Sequence, residues 1–326
     1  MVKRVFSGIQ PTGLVHIGNY LGAIKQWIEL QYQHDCLFCI VDYHAITIPY
    51  DPKQMQKNIF DAAVINMAAG LDPNRAAIFV QSHVPEHTEL TWLLNAITPM
   101  GRLSHMTQFK EKSRLFAEGV NAGLFNYPIL QAADILLYKA AIVPVGEDQV
   151  QHIELTRDIA RKFNVTFGET FPEVSPQLST VPRVMALSDP ARKMSKSIPG
   201  SYVGLADPPE KIKEQMMRAV TDSGPQPGAP MSPGTANLFM LMREFSSPET
   251  YQRFHQEYEE GTIKYSEMKK RLAEDLVNAL APIRETAAEL SAKPDYVRDV
   301  LREGAQKART IAQRTMVEVK LKMGLL

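Results

Sequence analysis

Cysteine is nearly absent: two residues in 326, Cys36 and Cys39, fall in the single stretch CLFCIVDYHAIT. A C-x-x-C pair suggests a metal or redox centre. The apolar neighbours Leu37, Phe38, Ile40 and Val41 instead read as a buried strand, in which residues three apart point to opposite faces. There is no second such pair to complete a four-sulfur site, so no structural metal is expected. No apolar run approaches the roughly 18 residues of a membrane span. Charge of neither sign dominates, with 36 Lys and Arg against 36 Asp and Glu. That balance leaves a local nucleic-acid patch open without arguing for one. Internal repeats, a low-complexity tail and a signal-peptide core are missing too, and a cytoplasmic protein is expected.

What is present is alternation. Strand-like runs at Arg4–Ile9, Cys36–Ile46, Ala77–Gln81, Ala141–Val145 and Arg183–Leu187 are separated by helical patterns over the first 190 residues. The helix over Asp51–Ala69 has Asp51 at its N-cap, Pro52 at its first position and Gly70 just beyond its end. Such alternation predicts an α/β fold, a Rossmann-like parallel sheet with helices on its faces. After a Pro- and Gly-rich stretch around TDSGPQPGAPMSPG the chain reads as helical from Thr235. The last segment carries an apolar stripe from Val297 through Val300, Leu301, Ala308, Ile311, Ala312, Thr315 and Met316 to Val319. Two domains are expected, residues 1–190 and residues 191–326.

Ligands of open parallel sheets bind beyond the strand C-termini, and each predicted strand here is followed by a polar motif. These are Gln10 to His16, then Asp42 with His44, then Gln81 to His83, then Gly146 to Gln149, and last KMSKS, residues 193–197. In HIGN, Gly18 lets a flat base approach the backbone, and the helix start with its imidazole suits phosphate oxygens. The same four residues also fit an N-capping turn with a solvated histidine. Lys193 and Lys196 are compact charges suited to phosphoryl oxygens, though charged loops are commonly just solvated. In YPILQAADILLY, read as a helix, Tyr127, Leu130, Gln131 and Asp134 share one face. A carboxylate there can accept from an indole N–H, which only donates; a solvent-facing, salt-bridged aspartate fits the pattern as well.

HIGN and KMSKS resemble the two nucleotide-binding signatures of the class I aminoacyl-tRNA synthetases. Adding FSGIQPTG, CIVDYHAIT, MTQFKEKS, AADILLY and VPVGEDQ, the chain resembles the tryptophan-specific members, least closely after about Ser223. The resemblance implies a Rossmann-like domain over 1–190, binding ATP and tryptophan and carrying an inserted dimer-forming segment. It implies a KMSKS loop and a helical, tRNA anticodon-binding domain over 191–326. The implied reaction joins L-tryptophan to ATP and then charges tRNA(Trp), with magnesium riding on the phosphates and the protein acting as a homodimer. His16, Lys112, Lys193 and Lys196 are the implied catalytic residues. ATP contacts fall to Gln10, Thr12, His16, Gly18, Asn19, Gly146, Asp148, Gln149, Val184, Met194, Ser195 and Ser197 beside the two loop lysines, with Gln108 near Lys112. Tryptophan contacts fall to Phe6, Gly8, His44, Tyr127, Gln131, Asp134, Ile135 and Gln149, with Asp134 on the indole nitrogen. His44 also reads as a core histidine. Gln131 departs from the methionine of many bacterial members. Lys269, Lys270, Arg271, Arg302, Lys307, Arg309 and Arg314 are candidate tRNA contacts on helix faces that otherwise read as solvated. Rival readings are a same-fold enzyme activating tyrosine or a small carboxylic acid, and a silent relative that binds tRNA or tryptophan as a regulator.

Overall fold

The computed structural model describes residues 2–110, 120–196, 198, 200–224 and 230–326. Two compact units emerge, and neither is one continuous piece of chain. The first comprises Met1–Gly13, Gln26–Ser179 and Lys293–Leu326; the second comprises Leu14–Lys25 and Thr180–Ala292. The chain passes between the units four times, after Gly13, Lys25, Ser179 and Ala292.

In the first unit, β1 (Arg4–Ile9), β2 (Asp35–Ile40), β3 (Ala76–Val80), β4 (Ile142–Val145) and β5 (Ser175–Leu178) form one sheet in the order β3-β2-β1-β4-β5. All its neighbours are parallel, with Gly8 beside Cys39 and Cys39 beside Phe79. The order reverses between β1 and β4, the switch point where such sheets open a crevice. One sheet face, with Phe6, Leu37, Cys39 and Phe79, packs into a core with residues of the helices Glu86–Asn95, Ala122–Leu137, Val150–Phe167 and Pro294–Lys322. On β2 the neighbouring Phe38 stacks on Trp27 at 5.0 Å. Both cysteines are free and buried. Burial pushes the Cys36 thiol up to about 12, with Asp35 adding to it, and raises Cys39 well above the ordinary value.

Three expectations are corrected. The second strand stops at Ile40, and Asp42–Ala45 is a short helix. The fifth strand is Ser175–Leu178, not Arg183–Leu187. Its proline is tolerated because β5 is an edge strand, with β4 its one neighbour. The stretch expected to be a strand makes a hairpin instead: Ala186 N–H donates to the Arg192 carbonyl (2.8 Å) and Met194 N–H to the Val184 carbonyl (3.1 Å). KMSKS therefore follows no strand of the sheet. Third, the final helix, Pro294–Lys322, belongs to the sheet-bearing unit and packs on β3. Gly304 permits this, because a Cβ there would lie 2.0 Å from the Ile78 carbonyl oxygen.

The second unit carries the helices Pro209–Met217, Pro233–Phe245, Pro248–Glu259 and Tyr265–Ser291. Proline opens the first three, and Ser232 and Ser247 cap two of them through the Thr235 and Thr250 N–H groups. Leu14–Lys25 joins this unit through backbone bonds: Ile17 N–H to the Val203 carbonyl (2.9 Å) and Leu205 N–H to the Val15 carbonyl (3.0 Å). Among the described residues, no helix is long and apolar enough to cross a membrane.

Candidate active site

The second unit brings HIGN and KMSKS together in one cluster. His16 precedes the helical turn Ile17–Asn19, and its N–H donates to Asn19 Oδ1 at 3.1 Å while its carbonyl accepts from Asn19 N–H at 2.9 Å. Asn19 is thus committed to capping. The His16 ring is buried, and its Nδ1 has no hydrogen-bond partner among the described residues. A Cβ on Gly18 would stand 3.0 Å from that Nδ1 and 3.4 Å from Met194 Sδ. HIGN and the KMSKS hairpin therefore meet, with the buried Met194 between them. Three further bonds hold the hairpin: Asn237 binds both backbone groups of Met185 (2.9 and 3.0 Å), and Ser201 Oγ donates to the Ser195 carbonyl. Within the hairpin Val184 is buried and Lys193 is exposed.

Electrostatics sort the cationic groups. Burial, then Lys196 and Lys193, lowers His16 to about 4, so at neutral pH it is an uncharged ring with an unused buried polar atom. Burial also lowers Lys196 to about 8. An ammonium whose charge is already costly gains most from an arriving anion. Lys112 and Ser197 lie outside the described residues.

The first unit gathers a different cluster, centred on Asp134. This carboxylate is 1% exposed and sits in the helix Ala122–Leu137, which Asn121 caps through Leu124 N–H at 2.8 Å. Its Oδ1 accepts from Gln81 Nε2 (2.7 Å) and bonds His87 Nδ1 (2.7 Å); its Oδ2 bonds His44 Nε2 (2.8 Å). The Gln81 amide is oriented because its Oε1 accepts Tyr43 N–H at 3.1 Å. Burial pushes the Asp134 carboxyl up, but the neighbouring His87 and the hydrogen bonds of His44 and His87 outweigh it and hold the group down at about 2. It is an ionised acceptor at every physiological pH. A carboxylate offers about four lone-pair directions; the described residues take three, leaving one on Oδ2.

Around it, Tyr127 bonds His152 Nε2 through its hydroxyl (2.9 Å) and stands edge-on to His44 at 6.2 Å. Phe6 is buried and stacks on Tyr138 at 5.4 Å. Gly8 is exposed in the centre of the sheet, where a Cβ would meet Val41 Cγ1 at 2.8 Å. A second polar relay runs past β4: Gln131 Nε2 donates to Gln149 Oε1 (3.5 Å), and Gln149 Nε2 and Gln108 Nε2 both donate to Asp148 Oδ2 (3.0 Å each). Gly146 gives room for this, since a Cβ would sit 2.8 Å from Asp148 Oδ1. Gln10 and Thr12 occupy the turn after β1, joined by a 2.9 Å backbone bond. Ile135 points into the hydrophobic core.

Gln81 appeared in the sequence only as part of a polar motif, and His87, Tyr138 and His152 were missed. Tyr138 had a signal: it lies four residues after Asp134, on the same helix face. His87 had none, because it reaches Asp134 from 47 residues away.

Residues 2–281 match the family described as tRNA synthetases class I (W and Y). The tryptophan–tRNA ligase of Caldanaerobacter subterraneus is 48% identical over 330 residues, spanning 100% of this chain and 99% of that protein. That of Deinococcus radiodurans is also 48% identical, over 332 residues and the same shares of the two chains. Among solved structures, Campylobacter jejuni tryptophanyl-tRNA synthetase complexed with ADP and tryptophan superposes with a TM-score of 0.84 at 38% identity, covering 99% of this chain and 100% of its own. The Mycoplasma pneumoniae enzyme gives 0.88 at 34% identity, covering 100% and 99%. The chain belongs to the class I tRNA synthetases for tryptophan and tyrosine, on their tryptophan-specific branch.

Proposed function

We propose that the Asp134 cluster takes the amino acid and the His16–Lys196 cluster takes the nucleotide. The reaction itself is that of the family: the chain activates L-tryptophan with ATP to tryptophanyl-adenylate and transfers the tryptophanyl group to tRNA(Trp). In the first step a tryptophan carboxylate oxygen bonds the α-phosphorus while the α–β phosphoanhydride bond breaks and diphosphate leaves. The attacking carboxylate is already ionised, so no general base is needed. Catalysis is then positioning and charge stabilisation. In the second step a terminal ribose hydroxyl of the tRNA attacks the adenylate carbonyl and AMP leaves.

Lys193, Lys196 and the undescribed Lys112 balance the charge growing on diphosphate, with Ser195 and Ser197 assisting. Neutral His16 offers a hydrogen bond rather than a charge, and Gln10, Thr12, Gly18, Asn19, Val184 and Met194 frame the nucleotide. Gly146, Asp148 and Gln149 meet the ATP and the amino-acid head group. Phe6, Gly8, His44, Tyr127 and Gln131 shape the indole pocket, and Ile135 packs in the core of the same unit. Magnesium enters on the phosphates; the loop offers lysines rather than carboxylates, which fits a cation carried by the nucleotide and water. Residues 1–190 serve activation and the helical region beyond them serves the anticodon. The enzyme works as a homodimer through its inserted segment, in the cytoplasm; family membership is the support for these last readings. Lys269 and Lys270 are the candidate phosphate contacts there. Arg271, Arg302 and Arg309 already pair with Asp275, Asp299 and Glu86.

One observation carries the substrate assignment: Asp134 is buried, ionised and one donor short of saturation. The indole N–H supplies that donor. ATP–diphosphate exchange with each of the twenty amino acids in turn tests it. Exchange with tryptophan alone is expected; exchange driven by tyrosine or another acid overturns the pocket, and tRNA binding without exchange favours the silent relative.

A further inference from the structure

Beyond Asp134 the hydrogen bonds continue inward to a residue that no substrate reaches. His87 is fully buried; its Nδ1 lies 2.7 Å from Asp134 Oδ1 and its Nε2 lies 2.7 Å from the Tyr138 hydroxyl. Tyr138 is itself fully buried between Phe6 and Phe79, at 5.4 and 5.8 Å. Its hydroxyl has one hydrogen-bond partner among the described residues, His87 Nε2. A buried O–H left without an acceptor is costly, so the hydroxyl donates and Nε2 accepts. Nε2 is then bare, and the ring proton sits on Nδ1, aimed at the carboxylate. Burial, with Cys39 and Asp134 nearby, keeps the phenol well above its ordinary value, so the donor is retained.

We propose that Tyr138 and His87 are positioning residues for amino-acid selection: with Gln81 they close Asp134 Oδ1, so that Oδ2 is the oxygen offered to the indole N–H. This rests on the reading of Asp134 given above. Without the Tyr138 hydroxyl the imidazole loses one of its two anchors, and the carboxylate is free to rotate. A rotated carboxylate offers its open lone pair in the wrong direction. Selection for an N–H donor is lost before the pocket's shape is.

The test compares tryptophan with the benzothiophene analogue of tryptophan, which keeps the shape and lacks the N–H, in Tyr138→Phe and the parent. The readout is the ratio of kcat/KM values for activation. The parent is expected to prefer tryptophan by about 10²-fold or more. Tyr138→Phe is expected to reduce that preference about tenfold, with ATP binding in the absence of amino acid unchanged. An equal loss for both substrates, leaving the ratio intact, means a merely structural role and overturns the proposal. A parent with no preference overturns the reading of Asp134 instead. Should the variant fail to fold, nitrogen NMR of the parent's histidines decides. His87 protonated on Nδ1 and bare on Nε2 is expected; a proton on Nε2 overturns the proposal.

Discussion

Lys196 titrates within reach of an ordinary binding experiment. Burial lowers its ammonium to about 8, whereas the neighbouring Lys193 is exposed. Under the proposed assignment ATP meets the charged form of Lys196, so affinity follows the fraction protonated. With the folded value at about 8, roughly ten in eleven molecules carry the charge at pH 7 and about one in eleven at pH 9. ATP affinity is therefore expected to fall about tenfold over that interval. A terminal phosphate with a pKa of about 6 is already about nine-tenths ionised at pH 7 and gains charge towards pH 9, so its titration cannot produce the fall. Equilibrium binding of magnesium-ATP without amino acid is the assay, which keeps the tryptophan amine out of the titration. Lys196→Arg should flatten the alkaline limb, because a guanidinium keeps its charge. Lys196→Met should bind weakly and equally at both values. A parent whose affinity is flat to pH 9, or a Lys196→Met variant that retains the slope, refutes the role of this lysine.

Other perturbations act through single contacts. Asp134→Asn puts an amide among three donors, and tryptophan activation should fall by about 10²-fold or more while ATP binding without amino acid is unchanged; equal loss of both is the contrary result. The Asp134 carboxyl is depressed from 3.8 to about 2, so its contribution is complete above the unfolded value and is lost as pH falls through the folded one. That amounts to about 2 kcal/mol, and unfolding midpoints for the parent should fall more steeply between pH 4 and 2 than those of Asp134→Asn. Gly304→Ala would force a Cβ to 2.0 Å from the Ile78 carbonyl oxygen. A loss of about 3 kcal/mol is expected in denaturant unfolding followed at the sheet-bearing unit, and an unchanged midpoint would show that the final helix shifts freely on β3.

Sequence periodicity located β1 to the residue and the helix over Pro52–Ala68 nearly so, because strand pattern, cap and proline agree there. It failed where local preference and pairing partner diverge. Arg183–Leu187 has the side chains of a strand, but its backbone bonds are taken by Arg192 and Met194; Ser175–Leu178 has a poor strand pattern yet finds β4. The stripe on the final helix said that it packs, not upon what. Gly304 lets it approach the Ile78 backbone of β3, and Ala305, Ala308 and Ala312 are buried in the core. Within the amino-acid cluster, the face shared by Tyr127, Gln131 and Asp134 was readable because helix geometry is local. The three donors on Asp134 were not, since they arrive from residues 90, 53 and 47 positions away. HIGN and KMSKS were legible as motifs, and their meeting at Met194 depends on strand-like bonds to residues 203–205 that no motif encodes.

The most direct measurement is the binding of tryptophan, and of its benzothiophene analogue, to the parent protein across neutral pH. A carboxylate held ionised with one open lone pair on Oδ2 should bind tryptophan about 10²-fold or more tightly than the analogue. Equal binding would mean that Asp134 never meets the indole N–H, and the amino-acid assignment would fall with it.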